Sequence, residues 1–357
     1  MVIFHAKGVN KYMHKRTLTR IMRTSVLSAT LLIGVAAAKA QDTPTITAGD
    51  TFTGTLSDDA ASFNYDLTRT NTPILITVTA TDFSPTLGLA LSGSQNGGIR
   101  VSFDGDVGNP LFIPPLPEGT AAQIQVTSTQ FPAEGDFSVS AVAVDAAPIG
   151  AGETLDGEIG ADGTPQFFSF DAQVGKLVTV TAAGGAFDTS LKLFAPGAIK
   201  SSAEDADGGV GYDPEIYQAV LSGSGTGYIE VAPAFAGQGG TFQVSLTLSD
   251  PPALEENTPV TLRLGGVRGS GGLTFAGATG GKAEITVRGV GGDPSDATIA
   301  VYQDGIRLAW DDDYDPEGSG TYQIDTQTDS PVYIIITADT RFDEYQAGQF
   351  EVSFKRL

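Results

Sequence analysis

The chain has 357 residues, 42 acidic against 20 basic, a formal net charge of −22 and no cysteine. Its two histidines (His5, His14) and three methionines (Met1, Met13, Met22) all lie in the first 22 residues, so the remainder offers neither thiol nor imidazole. That excludes Ser-His-Asp and Cys-His nucleophiles, Cys/His zinc sites and His-ligated haem. The acidic balance opposes nucleic acid and anionic membranes.

The N-terminus reads as an export signal spanning residues 1–40, helical and cleaved. Seven basic residues (Lys7, Lys11, Lys15, Arg16, Arg20, Arg23, Lys39) and no acid precede Gln41. An apolar run from Val26 to Ala38 leads into Ala38-Lys39-Ala40, the small-x-small pattern of a cleavage site. About 20 apolar residues are needed to span a bilayer, so this run is too short to serve as an anchor. Met13 and Met22 are alternative starts. The expected product is soluble in the periplasm or outside the cell, with 13 basic and 42 acidic residues, a net charge of −29. Without disulfides it is held by its cores alone.

After the leader the sequence repeats three times. Ile46-Thr47-Ala48-Gly49-Asp50-Thr51-Phe52-Thr53-Gly54 returns as Ile149-Gly150-Ala151-Gly152-Glu153-Thr154-Leu155-Asp156-Gly157, an offset of 103. Phe83-Ser84-Pro85-Thr86-Leu87 matches Phe187-Asp188-Thr189-Ser190-Leu191 at 104. The closing runs Gly135–Ser140, Gly240–Ser245 and Gly348–Ser353 share G-x-F-x-V-S at offsets of 105 and 108. The third unit opens differently, on Thr258-Pro259-Val260-Thr261-Leu262.

Within each unit the hydrophobic period is two, the mark of a strand with one face buried. Ile74, Ile76 and Val78 alternate with Leu75, Thr77 and Thr79, and Val178 and Val180 with Thr179 and Thr181. Ala283, Ile285 and Val287 alternate with Glu284, Thr286 and Arg288, and Phe350, Val352 and Phe354 with Glu351 and Ser353. Turn residues punctuate these runs, and no three-turn helix is visible. The expected fold is therefore all-β, three tandem antiparallel β-sandwich domains over residues 41–146, 147–250 and 251–357. The Pro251-Pro252 pair reads as a stiff linker between beads of an elongated rod.

The order of features in each unit resembles the bacterial pre-peptidase C-terminal domain. It runs from a G-x-T-x-x-G opening through Phe168-Ser169-Phe170, then Phe187-Asp188-Thr189-Ser190-Leu191-Lys192-Leu193, an acidic loop and the closing G-x-F-x-V strand. The third unit carries the acidic turn Leu308-Ala309-Trp310-Asp311-Asp312-Asp313. The first departs from the pattern, with Ser84-Pro85 in place of Asp-Thr. The resemblance implies a jelly-roll-like sandwich of a kind attached to exported peptidases. By this reading no catalytic domain is expected beside the repeats.

Oxygen chemistry is what remains. Asp311, Asp312, Asp313 and Asp315 crowd one turn, Asp205 and Asp207 the equivalent turn of the second unit, and Asp296 and Asp188 precede the strands leading into those turns. Calcium takes six to eight oxygens in irregular geometry, so it is the cation such loops suit, although Asp also favours turns for its own hydrogen bonds. Paired carboxylates also serve glycosidases, but acids on exposed turns lack the asymmetry that sets a proton donor apart. Trp310, the single tryptophan, is expected to cap the core at the end of its sheet; facing solvent it would offer a sugar platform. The resulting expectation is a non-catalytic exported interaction protein with calcium-stabilised loops. Its partner would be an extracellular protein or polysaccharide, with neither nucleic acid nor membrane insertion. The alternatives are a polysaccharide-binding protein and a carboxylate-only hydrolase.

Overall fold

Alternating Val, Ile, Thr and Phe positions form strands throughout the computed structural model, which contains no helix among the residues it describes. These are residues 43–57, 62–68, 71–92, 110–128, 134–206, 213–221, 223–264, 270–291, 297–304, 306–311, 319–338 and 349–357. The expected signal peptide lies outside them.

The first module comprises β1 (Thr45–Ile46), β2 (Thr51–Leu56), β3 (Phe63–Leu67), β4 (Ile74–Ala80), β5 (Pro85–Ser92), β6 (Leu111–Ile113), β7 (Ala121–Ser128) and β8 (Gly135–Ala143). Its sheets run β2-β8-β4-β6 and β1-β3-β7-β5. The second comprises β9 (Ala147–Pro148), β10 (Thr154–Ile159), β11 (Gln166–Ala172), β12 (Leu177–Gly184), β13 (Thr189–Phe194), β14 (Ala203–Asp205), β15 (Glu215–Val220), β16 (Gly225–Pro233) and β17 (Gly240–Ser249). Its sheets run β10-β17-β12-β15 and β14-β13-β16-β11-β9. The third comprises β18 (Val260–Arg263), β19 (Ser270–Ala276), β20 (Gly281–Gly291), β21 (Ala297–Gln303), β22 (Ile306–Asp311), β23 (Ser319–Thr326), β24 (Pro331–Ala338) and β25 (Gln349–Arg356). Its sheets run β18-β25-β20-β23 and β19-β24-β21-β22. The opening long strand pairs with the closing one in all three, which is jelly-roll order. Among the described residues pairing is antiparallel except for the two-residue contacts β1–β3 and β9–β11 and the single bridge between Ala253 and Thr274.

Each pair of sheets encloses its own apolar core. Ile74, Ile76, Val126 and Val139 anchor the first, Val178, Val180, Ile229 and Val244 the second, and Ile285, Val287, Ile334 and Val352 the third. Each such side chain contributes about 1.5–3 kcal/mol by burial.

The repeated opening motif is a turn. Gly49 and Gly152 adopt φ of +99° and +83°, and their amides donate to Ala141 O and Leu246 O at 2.8 and 2.7 Å. Asp50 and Glu153 close the turns by accepting from the amides of Thr47 and Gly150. The third unit is not divergent in structure: Asn257, at φ +60°, replaces the glycine and donates to Phe354 O at 2.8 Å. Asn tolerates the left-handed region, so the turn survives where the sequence motif does not.

The modules are not separate beads held apart by stiff linkers: residues 43–357 form one compact unit. Leu75 and Phe112 point outward from β4 and β6 yet are only 8% and 3% exposed, because they pack on Phe167, Phe194 and Tyr228, which point outward from the second module. Between the second and third modules Leu177 and Val220 press on Gly272, where a Cβ would lie 2.9 Å from Leu177 Cδ2. The Val220 amide donates to Ser270 Oγ at 3.3 Å, joining two sheet edges. Pro251-Pro252 is not a spacer. The Thr274 amide donates to Pro252 O, and the Leu254 amide to Thr274 O. Leu254 itself lies in the third core.

Candidate functional site

The acidic loops divide between described and undescribed residues. Asp207, Asp296, Asp312, Asp313 and Asp315 lie outside the described residues. Asp205, at the end of β14, is buried and accepts from the Glu215 amide at 2.7 Å, closing the loop between β14 and β15. Asp311, the last residue of β22, accepts from the Tyr322 hydroxyl at 2.8 Å. Asp188 is exposed, and its carbonyl accepts from the Ala234 amide. Among the described residues no three acidic side chains converge in a way that would hold a metal ion.

A depression of about 570 Å³ lies on the outer face of β2, β8 and β4, lined by Thr53, Thr55, Thr79, Thr81, Ser138 and Asp136. Cross-strand register places these hydroxyls in rows, Thr53–Ser138–Thr79 among them. Thr55 Oγ1 donates to Asp136 Oδ1 at 2.5 Å. Asp136 is the one carboxylate in the lining.

Trp310 departs from the sequence expectation. It is 50% exposed and does not cap the core. The reason is register: Trp310 pairs with Ala300, and Ala309 with Val301, whose side chain is buried in the core. Alternation then turns Trp310 to the outer face. A bulge at Val301/Tyr302 lets Arg307 pair with Tyr302 on that same face, and the Arg307 guanidinium lies over the indole, 4.9 Å from its centroid. Arg307 makes no ion pair among the described residues.

The outer face of this sheet therefore carries two rows. Trp310, Ala300, Ile335 and Gly272 form one, ending at the joint with the second module; Arg307, Tyr302, Tyr333 and Thr274 form the other. Tyr333 packs against the turn at Gly175 of the second module, where a Cβ would meet its ring at 3.0 Å.

One buried and one exposed polar side chain set this geometry. Gln303, 2% exposed at the end of β21, donates from Nε2 to Thr328 O and Ser330 O, both at 2.9 Å, and accepts from the Gln327 amide at 2.7 Å. It thus fixes the β23–β24 turn to the hairpin that carries Trp310. That hairpin turns through Asp304, at φ +51°, whose carboxylate accepts from Thr328 Oγ1 at 2.6 Å; this bond holds the carboxyl below the usual range.

A second polar pair lies beside the first joint. Glu230 is 5% exposed, and its Oε1 lies 3.2 Å from Lys192 Nζ across the β13–β16 pair. Phe167 is the cross-strand partner of Glu230 on β11. Burial pushes the Glu230 carboxyl up, against the opposing pull of Lys192.

Sequence reasoning passed over Arg307, Tyr333, Glu230 and the joint residues. The signal was present in Leu75, Phe167, Phe194 and Leu177, which are apolar at positions where strict alternation demands a polar residue.

No family model matches the chain, and no curated protein matches it. Among solved structures it is similar to the pre-peptidase C-terminal domain of a Bacillus anthracis collagenase, with 19% identity, 29% of this chain and 96% of that one covered, and a TM-score of 0.25. It is also similar to the CUB1-EGF-CUB2 region of human MASP-1/3 (10% identity, 57% and 99% covered, TM-score 0.19). A third likeness is to a tail fiber protein from a phage of E. coli (10% identity, 59% and 41% covered, TM-score 0.22). The chain's class rests on its own strands: it is an all-β protein of antiparallel sheets paired into sandwiches.

Proposed function

We propose that this chain is an exported, non-catalytic interaction protein whose three modules are tandem relatives of the pre-peptidase C-terminal domain, with acidic loops that calcium rigidifies. The observation supporting it is the disposition of apolar surface. Outward-facing Leu75 and Phe112 of the first module pack on Phe167, Phe194 and Tyr228 of the second, so the outer faces of these sandwiches already serve as contact surfaces. The depression on the first module is open and carries one carboxylate, Asp136, where glycoside hydrolysis needs two. A second reading, polysaccharide binding, is favoured by the exposure of Trp310.

The test has two arms. The protein recovered from the cell exterior or periplasm begins at Gln41 on N-terminal sequencing; recovery from the cytoplasm with the leader intact defeats export. Millimolar calcium raises the melting temperature of the metal-free protein by mass action on the folded state. An unchanged midpoint removes the ion.

A further inference from the structure

We propose that the outer face around Trp310 is a shelf that binds a neutral polysaccharide, with Trp310 and Tyr302 as its stacking rings and Arg307 as its hydrogen-bond donor. This deepens the interaction-protein reading and rests on it.

The shelf continues an interface the molecule already uses. The row Trp310–Ala300–Ile335–Gly272 ends beneath Leu177 and Val220 of the second module, and Tyr333 is covered in part by the Gly175 turn. At its other end Trp310 is 50% exposed, while Ala300 beside it is covered, 8% exposed. Tyr302 lies on the same face, diagonally across the β21–β22 pair from Trp310. Two rings on one face support successive regions of an extended chain.

The chemistry selects the occupant. A pyranose presents a flat C–H face, suited to an aromatic ring, and a rim of hydroxyls, suited to nearby polar tips. The Arg307 guanidinium lies over one face of the indole, so the pyranose takes the other face and its hydroxyl rim meets the guanidinium donors at the ring edge. Addition of a strand from another protein is opposed: β22 is a sheet edge, but it carries the bulge at Val301/Tyr302 and the exposed charge of Arg307, both of which blunt edge pairing. Anionic polymers are opposed by the acidity of the chain, and Asp311 directly follows Trp310.

Trp310 is the only tryptophan, so intrinsic fluorescence reads the shelf directly. The purified chain is titrated with cellohexaose, xylohexaose, laminarihexaose, mannohexaose and maltohexaose, with a hexauronate as the anionic control. A saturable shift in tryptophan emission is expected with at least one neutral hexaose. Calorimetry then shows Trp310→Ala weakening that ligand by about tenfold, the equivalent of about 1.4 kcal/mol. Tyr302→Ala weakens it less, and Trp310→Phe, whose melting curve verifies the fold, retains part of the affinity. Emission unmoved by every neutral sugar overturns the proposal. So does a response to the hexauronate alone, or one that appears only as protein concentration rises, which assigns the face to an anionic polymer or a second copy. Chromatography of the same mixtures separates the two readings: shortened oligosaccharides would defeat the non-catalytic reading while leaving binding at Trp310 intact.

Discussion

Phe112 and Phe167 belong to different sandwiches, and their rings stack with centroids 4.5 Å apart and planes 16° from parallel. Phe194 and Tyr228 close around Phe112 at 4.7 and 5.6 Å. An outward-facing phenylalanine so enclosed behaves as a core residue of the joint.

Phe112→Ala or Phe167→Ala is therefore expected to cost about 3–5 kcal/mol of joint stability, as for truncation of a core aromatic. A double-mutant cycle in urea should return a coupling of about 0.5–1.5 kcal/mol. Additive single effects would mean that the rings do not meet.

Glu230 gives the same joint a pH dependence. Burial raises its carboxyl above the ordinary value of 4.5, with Lys192 opposing the shift. The folded chain then holds that proton more tightly than the unfolded chain does. The associated stability is present below pH 4.5 and is lost as pH rises through the raised folded value. Measured as urea midpoints from acid to neutral pH, the native chain should lose stability relative to Glu230→Gln as pH increases. A difference that stays constant across the range would contradict this.

Tyr65 is fully buried among Phe52 and Phe63, and its hydroxyl has no hydrogen-bond partner among the described residues. Burial pushes that hydroxyl up to about 12. Tyr65→Phe removes the buried polar atom and keeps the ring, so thermal unfolding should show unchanged or greater stability, by up to about 1–3 kcal/mol. A clear loss would reveal a partner for the hydroxyl.

The inward faces were legible in the sequence because a period of two is imposed by the strand itself: Ile74, Ile76, Val352 and Phe354 are buried as their spacing requires. The outward faces were less so. Leu75 and Phe167 read as imperfections of a strand until the facing module is in place, because a joint brings together residues that no local pattern connects. The face that Trp310 takes depends on the pairing of β22 with β21, and on a bulge that leaves no mark in the sequence. Asn257 hid the third opening turn, since the backbone needs a residue that tolerates positive φ and Gly is not the only one. For the acidic turns, a sequence displays how many carboxylates are present but not which way they point.

The central claim, that the sandwiches pack as one body, is tested most directly by distances between them. The chain has no cysteine, so paired spin labels at Thr53→Cys with Thr241→Cys, and at Thr241→Cys with Thr321→Cys, are unambiguous. Pulsed electron resonance should give one narrow distance distribution for each pair, broadened for the first pair by Phe112→Ala. Broad distributions in the native chain, of the kind a flexible linker produces, would contradict the account.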